Sequence, residues 1–98
     1  MNLPIVVRRV VGHSMMPTLQ PGAIVIGLTW MKPVVGQILI VRDGDKEIIK
    51  RLKSSSNDDL ELVGDNHSDS LDSSKLGTFS SDQVIAVVVF PRSAVSAS

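Results

Sequence analysis

Short runs of β-branched and aliphatic residues, each stopped by a turn-forming cluster, constrain this chain more than any other feature. They lie at residues 5–11, 23–27, 37–42, 46–52, 60–63 and 84–90, and Pro-Gly, Asp-Gly and Ser/Asn-rich segments separate them. No run carries convincing helical periodicity, and there is no internal repeat, so the pattern predicts an all-β domain of short strands. Residues 5–11 are apolar apart from Arg8 and Arg9, which predicts a strand buried on both faces for most of its length. Asp43-Gly44-Asp45 has the chemistry of a tight hairpin turn between 37–42 and the return strand 46–52. Residues 54–58 read as a solvated polar loop, as do 65–78. Ser80 to Gln83 either caps a single helical turn or leads directly into the last strand. That strand, 84–90, is made only of Val, Ile, Ala and Phe and reads as buried, with Pro91 ending it. Residues 1–92 are expected to form one domain and 93–98 a disordered tail.

Composition narrows the function classes. Ninety-eight residues suffice for one small core, and 43% hydrophobic with only 3% aromatic content means that Val, Ile and Leu must build it. Ten basic residues balance ten acidic ones without blocks of either sign, so no electrostatic footprint for nucleic acid is present. The absence of cysteine excludes disulfides and Cys-ligated zinc. His13 and His67 lack metal-ligand spacing, so neither a metal nor another cofactor is expected. No apolar run reaches the roughly 18 to 20 residues needed to span a bilayer. Met1 to Pro4 lacks signal-peptide anatomy. A soluble, cytoplasmic protein is the expectation, or a membrane-associated one if an apolar anchor precedes this segment in the natural protein.

The first strand runs into Gly12-His13-Ser14-Met15-Met16-Pro17-Thr18-Leu19, and a Gln20-Pro21-Gly22 turn follows. Pro17 stops a regular helix here, so Ser14 sits on irregular backbone just after a strand, where its hydroxyl can enter a cleft. A serine in such a place is ordinarily a capping or turn residue. Other segments give this one a different meaning.

Ser14-Met15-Met16-Pro17-Thr18-Leu19 resembles the nucleophile box of the type I signal peptidases and their soluble relatives. These share a Ser/Lys dyad with self-cleaving phage repressors and SOS regulators. Pro21-Gly22-Ala23-Ile24-Val25, Ile49-Lys50-Arg51-Leu52 and Gly64-Asp65-Asn66-His67 leading to Ser70-Leu71-Asp72-Ser73 resemble further boxes of the family, in its order. The resemblance implies a small coiled, barrel-like β-sheet with a peptide-binding edge, and a serine endopeptidase that cleaves signal- or pro-peptides after small residues. Small residues would stand one and three places before the cut. Ser70 would hydrogen-bond and orient the lysine amine, while Asp72, Asp65 and Asn66 would brace their loop. Ala23 and Ser74 depart from the family, which usually has Asp and often Arg at these positions, and both look like lost support around the site.

A serine hydroxyl needs a neighbouring base to become a nucleophile. His13 adjoins Ser14, and in an extended segment their side chains point to opposite faces. His67 with Asp65 could complete a triad, but the matching family position commonly holds Arg, which cannot be a base. Lys50 is the better candidate. Strand alternation puts it on one face with Ile48 and Leu52, and puts Glu47, Ile49 and Arg51 on the other. A free lysine has a pKa of about 10.4, and burial can lower it by roughly 3 to 5 units, into the range of a working general base. The oxyanion formed by attack needs preorganised donors, of which the Ser14 backbone N–H is the first. Gly12 supplies no side-chain donor, so backbone must suffice there, and it lets a substrate approach closely.

Met15, Met16, Leu28, Trp30 and Met31 either rim the cleft, where they could touch a membrane surface, or belong to the core. Substrate binding by strand addition to an exposed edge is expected of a β peptidase. Within the leading reading, the enzyme removes signal peptides or matures one specific precursor. A self-cleaving regulator would also need a DNA-binding domain and an internal Ala-Gly or Cys-Gly cleavage site, and the sequence has neither. The alternative class is a relative of the same fold that binds peptides without cutting them.

Overall fold

The computed structural model describes residues 4–66 and 78–92. Its strands are β1 (Ile5–Arg9), β2 (Ile24–Leu28), β3 (Ile38–Asp43), β4 (Lys46–Ser56), β5 (Asp59–Val63), β6 (Thr78–Ser80) and β7 (Val84–Phe90). They form one sheet in the order β1-β2-β7-β3-β4-β5-β6, with every neighbouring pair antiparallel. The all-β architecture anticipated from the sequence is the one found. One turn of 3₁₀ helix lies at Ser81–Gln83 and leads into β7, and Gln83 Oε1 accepts the Ser80 N–H at 2.8 Å. Among the described residues no helix is long and apolar enough to cross a membrane.

The continuous apolar runs fall at the centre of the sheet, where both faces are covered. In β3, Ile38 and Ile40 enter one cluster with Val10, Met15, Leu19, Val25, Ala86 and Val88. Leu39 and Val41, pointing the other way, join Leu52, Leu60, Leu62, Phe79 and Val87 in a second. All four β3 residues are fully buried, each contributing roughly 1.5 to 3 kcal/mol of burial free energy. The two layers explain how a chain with so few aromatic residues stays packed: aliphatic side chains interdigitate on both sides of β3 and β7. Gly27 lies at a register shift between β2 and β7, and a Cβ there would stand 2.7 Å from the Ala86 Cβ, so only glycine lets the strands approach so closely.

Three expectations need correction. β1 is an edge strand covered on one face only: Val6 packs against the first cluster, while Ile5 and Val7 are about half exposed. A continuous apolar run does not distinguish two covered faces from one covered face and one exposed apolar face. Residues 54–56 are strand rather than loop. They extend β4 to pair with β5 across a turn in which Asn57 adopts φ 56°. Ser54, Ser55 and Ser56 are all exposed, so no polarity alternation betrays the strand. Thr78, read as the end of a loop, begins β6, which pairs with β5 and seals the second cluster with Phe79; Ser80 ends β6 and also caps the 3₁₀ turn, one of the two readings the sequence allowed. The proposed tail, 93–98, lies outside the described residues.

Sheet curvature positions the site. Four antiparallel steps separate β1 from β4, so the two run parallel, both towards the Ser14 segment. Arg8 of β1 nevertheless reaches Glu47 of β4, Nε to Oε1 at 2.6 Å and Nη2 to Oε2 at 3.1 Å. The sheet therefore curls over the first cluster and brings its edge strand opposite β4.

Candidate active site

The chain leaves β1, passes Gly12 at φ 82° and turns tightly through Ser14 to Leu19. Met16 N donates to His13 O at 3.1 Å and Leu19 N to Met15 O at 2.9 Å. Met15 and Leu19 are buried in the first cluster and anchor both ends of this turn. Ser14, immediately before Met15, is half-buried beside β4. A Cβ at Gly12 would meet nothing within 4 Å, so glycine is needed there for its backbone angle rather than for space.

Lys50 Nζ donates to Ser14 Oγ at 2.7 Å, joining residues 36 positions apart. Lys50 is half-buried, and its strand neighbours divide as alternation requires, with Ile48 and Leu52 in the second cluster and Ile49 against the first. Glu47 and Arg51, read as sharing a face, each have a separate partner: Glu47 holds Arg8, and Arg51 holds Asp65.

The segment after β5 fixes the serine from behind. Asn66 N donates to Ser14 O at 2.8 Å, and Asn66 Nδ2 to His13 O at 2.8 Å. Asp65 accepts Arg51 Nε on Oδ1 at 2.7 Å and Arg51 Nη2 on Oδ2 at 2.6 Å, while Thr18 Oγ1 donates to Oδ2 at 2.5 Å. Arg51 Nη1 donates to Gly36 O at 2.6 Å. One forked ion pair thus ties β4, the segment after β5, the serine turn and the turn before β3. Such fork-to-carboxylate geometry is the strongest kind of side-chain hydrogen bonding, and the Asp65 carboxylate raises the Arg51 guanidinium above its ordinary pKa.

A cleft of about 380 Å³ opens in front of Ser14 and Lys50. Residues 8–11 at the end of β1 line one wall and residues 46–50 of β4 the other, with Met15 beneath. β4 pairs with β3 along Lys46 to Arg51, but with β5 only from Arg51 onwards. Among the described residues, the other backbone edge of Lys46 to Ile49 has no strand partner. The cleft is consequently a slot between two strand edges.

Of the other residues singled out in the sequence, Ala23 packs at the border of the first cluster, accepts a backbone hydrogen bond from Val10 N and donates one to Gln20 O. Met15 belongs to the core and to the cleft at once, Met31 packs on the second cluster, and Trp30 is exposed. His13 is exposed, with its carbonyl rather than its ring engaged in the site. His67, Ser70, Asp72 and Ser74 lie outside the described residues. Sequence reasoning missed the Arg8–Glu47 pair and the Thr18–Asp65 bond. Charge at Arg8 within an apolar strand was the only available signal for the first.

No curated protein matches the chain. The model of the Peptidase S24-like family matches residues 4–89, nearly the whole length. That family comprises peptidase domains of the repressor C-terminal kind and is related to the signal peptidases. This chain belongs to the Peptidase S24-like family and is a serine peptidase domain of that kind.

Proposed function

We propose that the protein is a serine endopeptidase in which Ser14 is the nucleophile and Lys50 its general base, and that it removes signal- or pro-peptides. The observation that carries the reading is the 2.7 Å contact between Lys50 Nζ and Ser14 Oγ at the mouth of a strand-edged slot. A neutral amine presents its nitrogen lone pair, and the serine hydroxyl then donates along the same line. Attack on the substrate carbonyl then moves that proton to Nζ, which returns it to the leaving amine as the tetrahedral intermediate collapses. Water, deprotonated by the same amine, hydrolyses the acyl-enzyme, and the amine returns that proton to the departing Ser14 Oγ.

The Ser14 N–H makes no hydrogen bond among the described residues and supports this reading as a first oxyanion donor. Gly12, with no side chain, keeps the approach open. Asp65 and Asn66 brace the serine turn through the contacts described above, and Ser70 and Asp72 belong to the same proposal by family resemblance. An extended substrate would add as a strand between β1 and the Lys46–Ile49 edge, its backbone supplying affinity. Small residues one and three places before the cut fit the resemblance. Incubating the protein with peptides carrying Ala at both positions and reading the products by mass tests the proposal. Cleavage at one bond by wild type and none by Ser14→Ala is expected. Binding without cleavage by wild type would favour the peptide-holding alternative.

A further inference from the structure

We infer that the Arg8–Glu47 ion pair is the floor of a second substrate pocket and selects a small hydroxyl-bearing residue, Ser or Thr, three places before the cut. This rests on the proposed binding of an extended peptide between β1 and β4.

Alternation decides what such a peptide meets. Val6 on β1 and Val10 just after it face the first cluster, and Arg8 lies between them in the alternation. On β4, Ile49 faces that cluster, and Glu47 lies two residues earlier on the same face. Because β1 and β4 run parallel towards Ser14, stepping back two residues on both strands moves from Val10 and Ile49 to Arg8 and Glu47. Alternate side chains of an extended peptide also point the same way, about 6.6 to 6.8 Å apart. The inward residue beside Ser14 therefore sits over Met15, Val10 and Ile49, and the next inward residue sits over the ion pair. The acyl half of the substrate stays covalently bound until water attacks, whereas the leaving half must depart. The walled slot suits the half that stays, which puts these two residues one and three places before the cut.

The chemistry of the pair then sets preference. Arg8 spends Nε and Nη2 on Glu47 and donates Nη1 to Val7 O at 2.9 Å. Glu47 accepts from Arg8 on both oxygens, with Arg42 Nη2 3.7 Å from Oε2, and the remaining carboxylate lone pairs can take a further donor. The side chains of Arg8 and Glu47 are 38% and 26% exposed, so water reaches the pair when the slot is empty. A Leu or Phe above it would strip that water and return no hydrogen bond. A Ser or Thr hydroxyl donates to Glu47 and leaves Arg8 its partner. Lys46 and Arg9, also beside the slot, are exposed and keep their own hydration.

The test measures binding of fluorescent peptides to the Ser14→Ala protein, with Ala one place before the cut and Ser, Thr, Ala, Leu or Phe three places before. Ser and Thr should bind about tenfold more tightly than Leu. Replacing the pair with apolar residues, Arg8→Met with Glu47→Leu, should reverse that order, and exchanging it, Arg8→Glu with Glu47→Arg, should preserve it. Thermal melts confirm that each variant is folded before it is scored. An order unchanged by the apolar replacement, a preference for Leu in the Ser14→Ala parent, or no binding of any peptide overturns the inference. Peptides that bind in the expected order yet stay intact with wild-type Ser14 would instead count against the proposed catalysis alone.

Discussion

Gly64 is packed directly on the backbone of Ser14: a Cβ at position 64 would stand 2.6 Å from the Ser14 carbonyl oxygen and 3.3 Å from its Cβ. No positive φ demands glycine there, so the requirement is close approach alone. Gly64→Ala must push the serine turn outward, because the atom it meets is backbone rather than a flexible side-chain tip. A displacement near 1 Å at a reacting group costs about 100-fold in rate. Gly64→Ala should lower kcat/KM by about that factor, with a stability loss of about 1 to 3 kcal/mol from overpacking. Peptide cleavage and denaturant melts, measured side by side, check both.

Asp65 holds the serine turn through Thr18 and the β4 strand through Arg51. Asp65→Ala should destabilise the fold by about 1.5 to 3 kcal/mol, the range for hydrogen bonds to charged groups. It should also slow cleavage, since Asn66, the next residue, carries the bonds to the His13 and Ser14 carbonyls. In a double-mutant cycle with Arg51→Ala, the two losses should couple by at least about 0.5 kcal/mol.

The Arg8–Glu47 pair gives stability a defined pH dependence. Hydrogen bonding to Arg8 outweighs the opposing effect of desolvation and lowers the Glu47 pKa below its ordinary value. A carboxylate with a depressed folded pKa contributes stability above its unfolded pKa and loses it as pH falls through the folded one. Glu47→Gln should therefore melt below wild type at neutral pH, and the gap should close in the acid range. The pair is partly exposed, so it is worth about 1 kcal/mol at most, a Tm difference of no more than about 4 to 8 °C. Calorimetric scans across that pH range provide the check.

Local features were legible in the sequence, and long-range ones were not. Ser14, with Gly12 before it and Pro17 after it, marked an irregular exposed turn because those residue types restrict backbone over a few positions. Lys50 stood out through two-residue alternation, another short-range rule. Nothing local shows that Arg8 meets Glu47, 39 positions away, because that contact is made by curvature accumulated over five strands. The Ser54 to Ser56 extension of β4 escaped notice because a strand with exposed polar side chains has the composition of a loop. The double-sided burial assigned to residues 5–11 belongs to β3 and β7. Which apolar runs become central depends on strand order, and composition does not encode it.

In the proposed mechanism the Lys50 amine, not a histidine, activates Ser14. Its most direct test is the pH profile of kcat/KM for wild type, Lys50→Met and His67→Ala on one cleavable peptide. Only a neutral amine accepts the serine proton, so wild-type activity should rise through a single ionisation and stay high on the alkaline side. His67→Ala should follow the same curve. Lys50→Met should lose at least about 100-fold in kcat on the alkaline plateau, the lower bound for removing a general base, and the gap should narrow as pH falls. Activity that survives in Lys50→Met and disappears in His67→Ala would contradict the Ser14–Lys50 dyad.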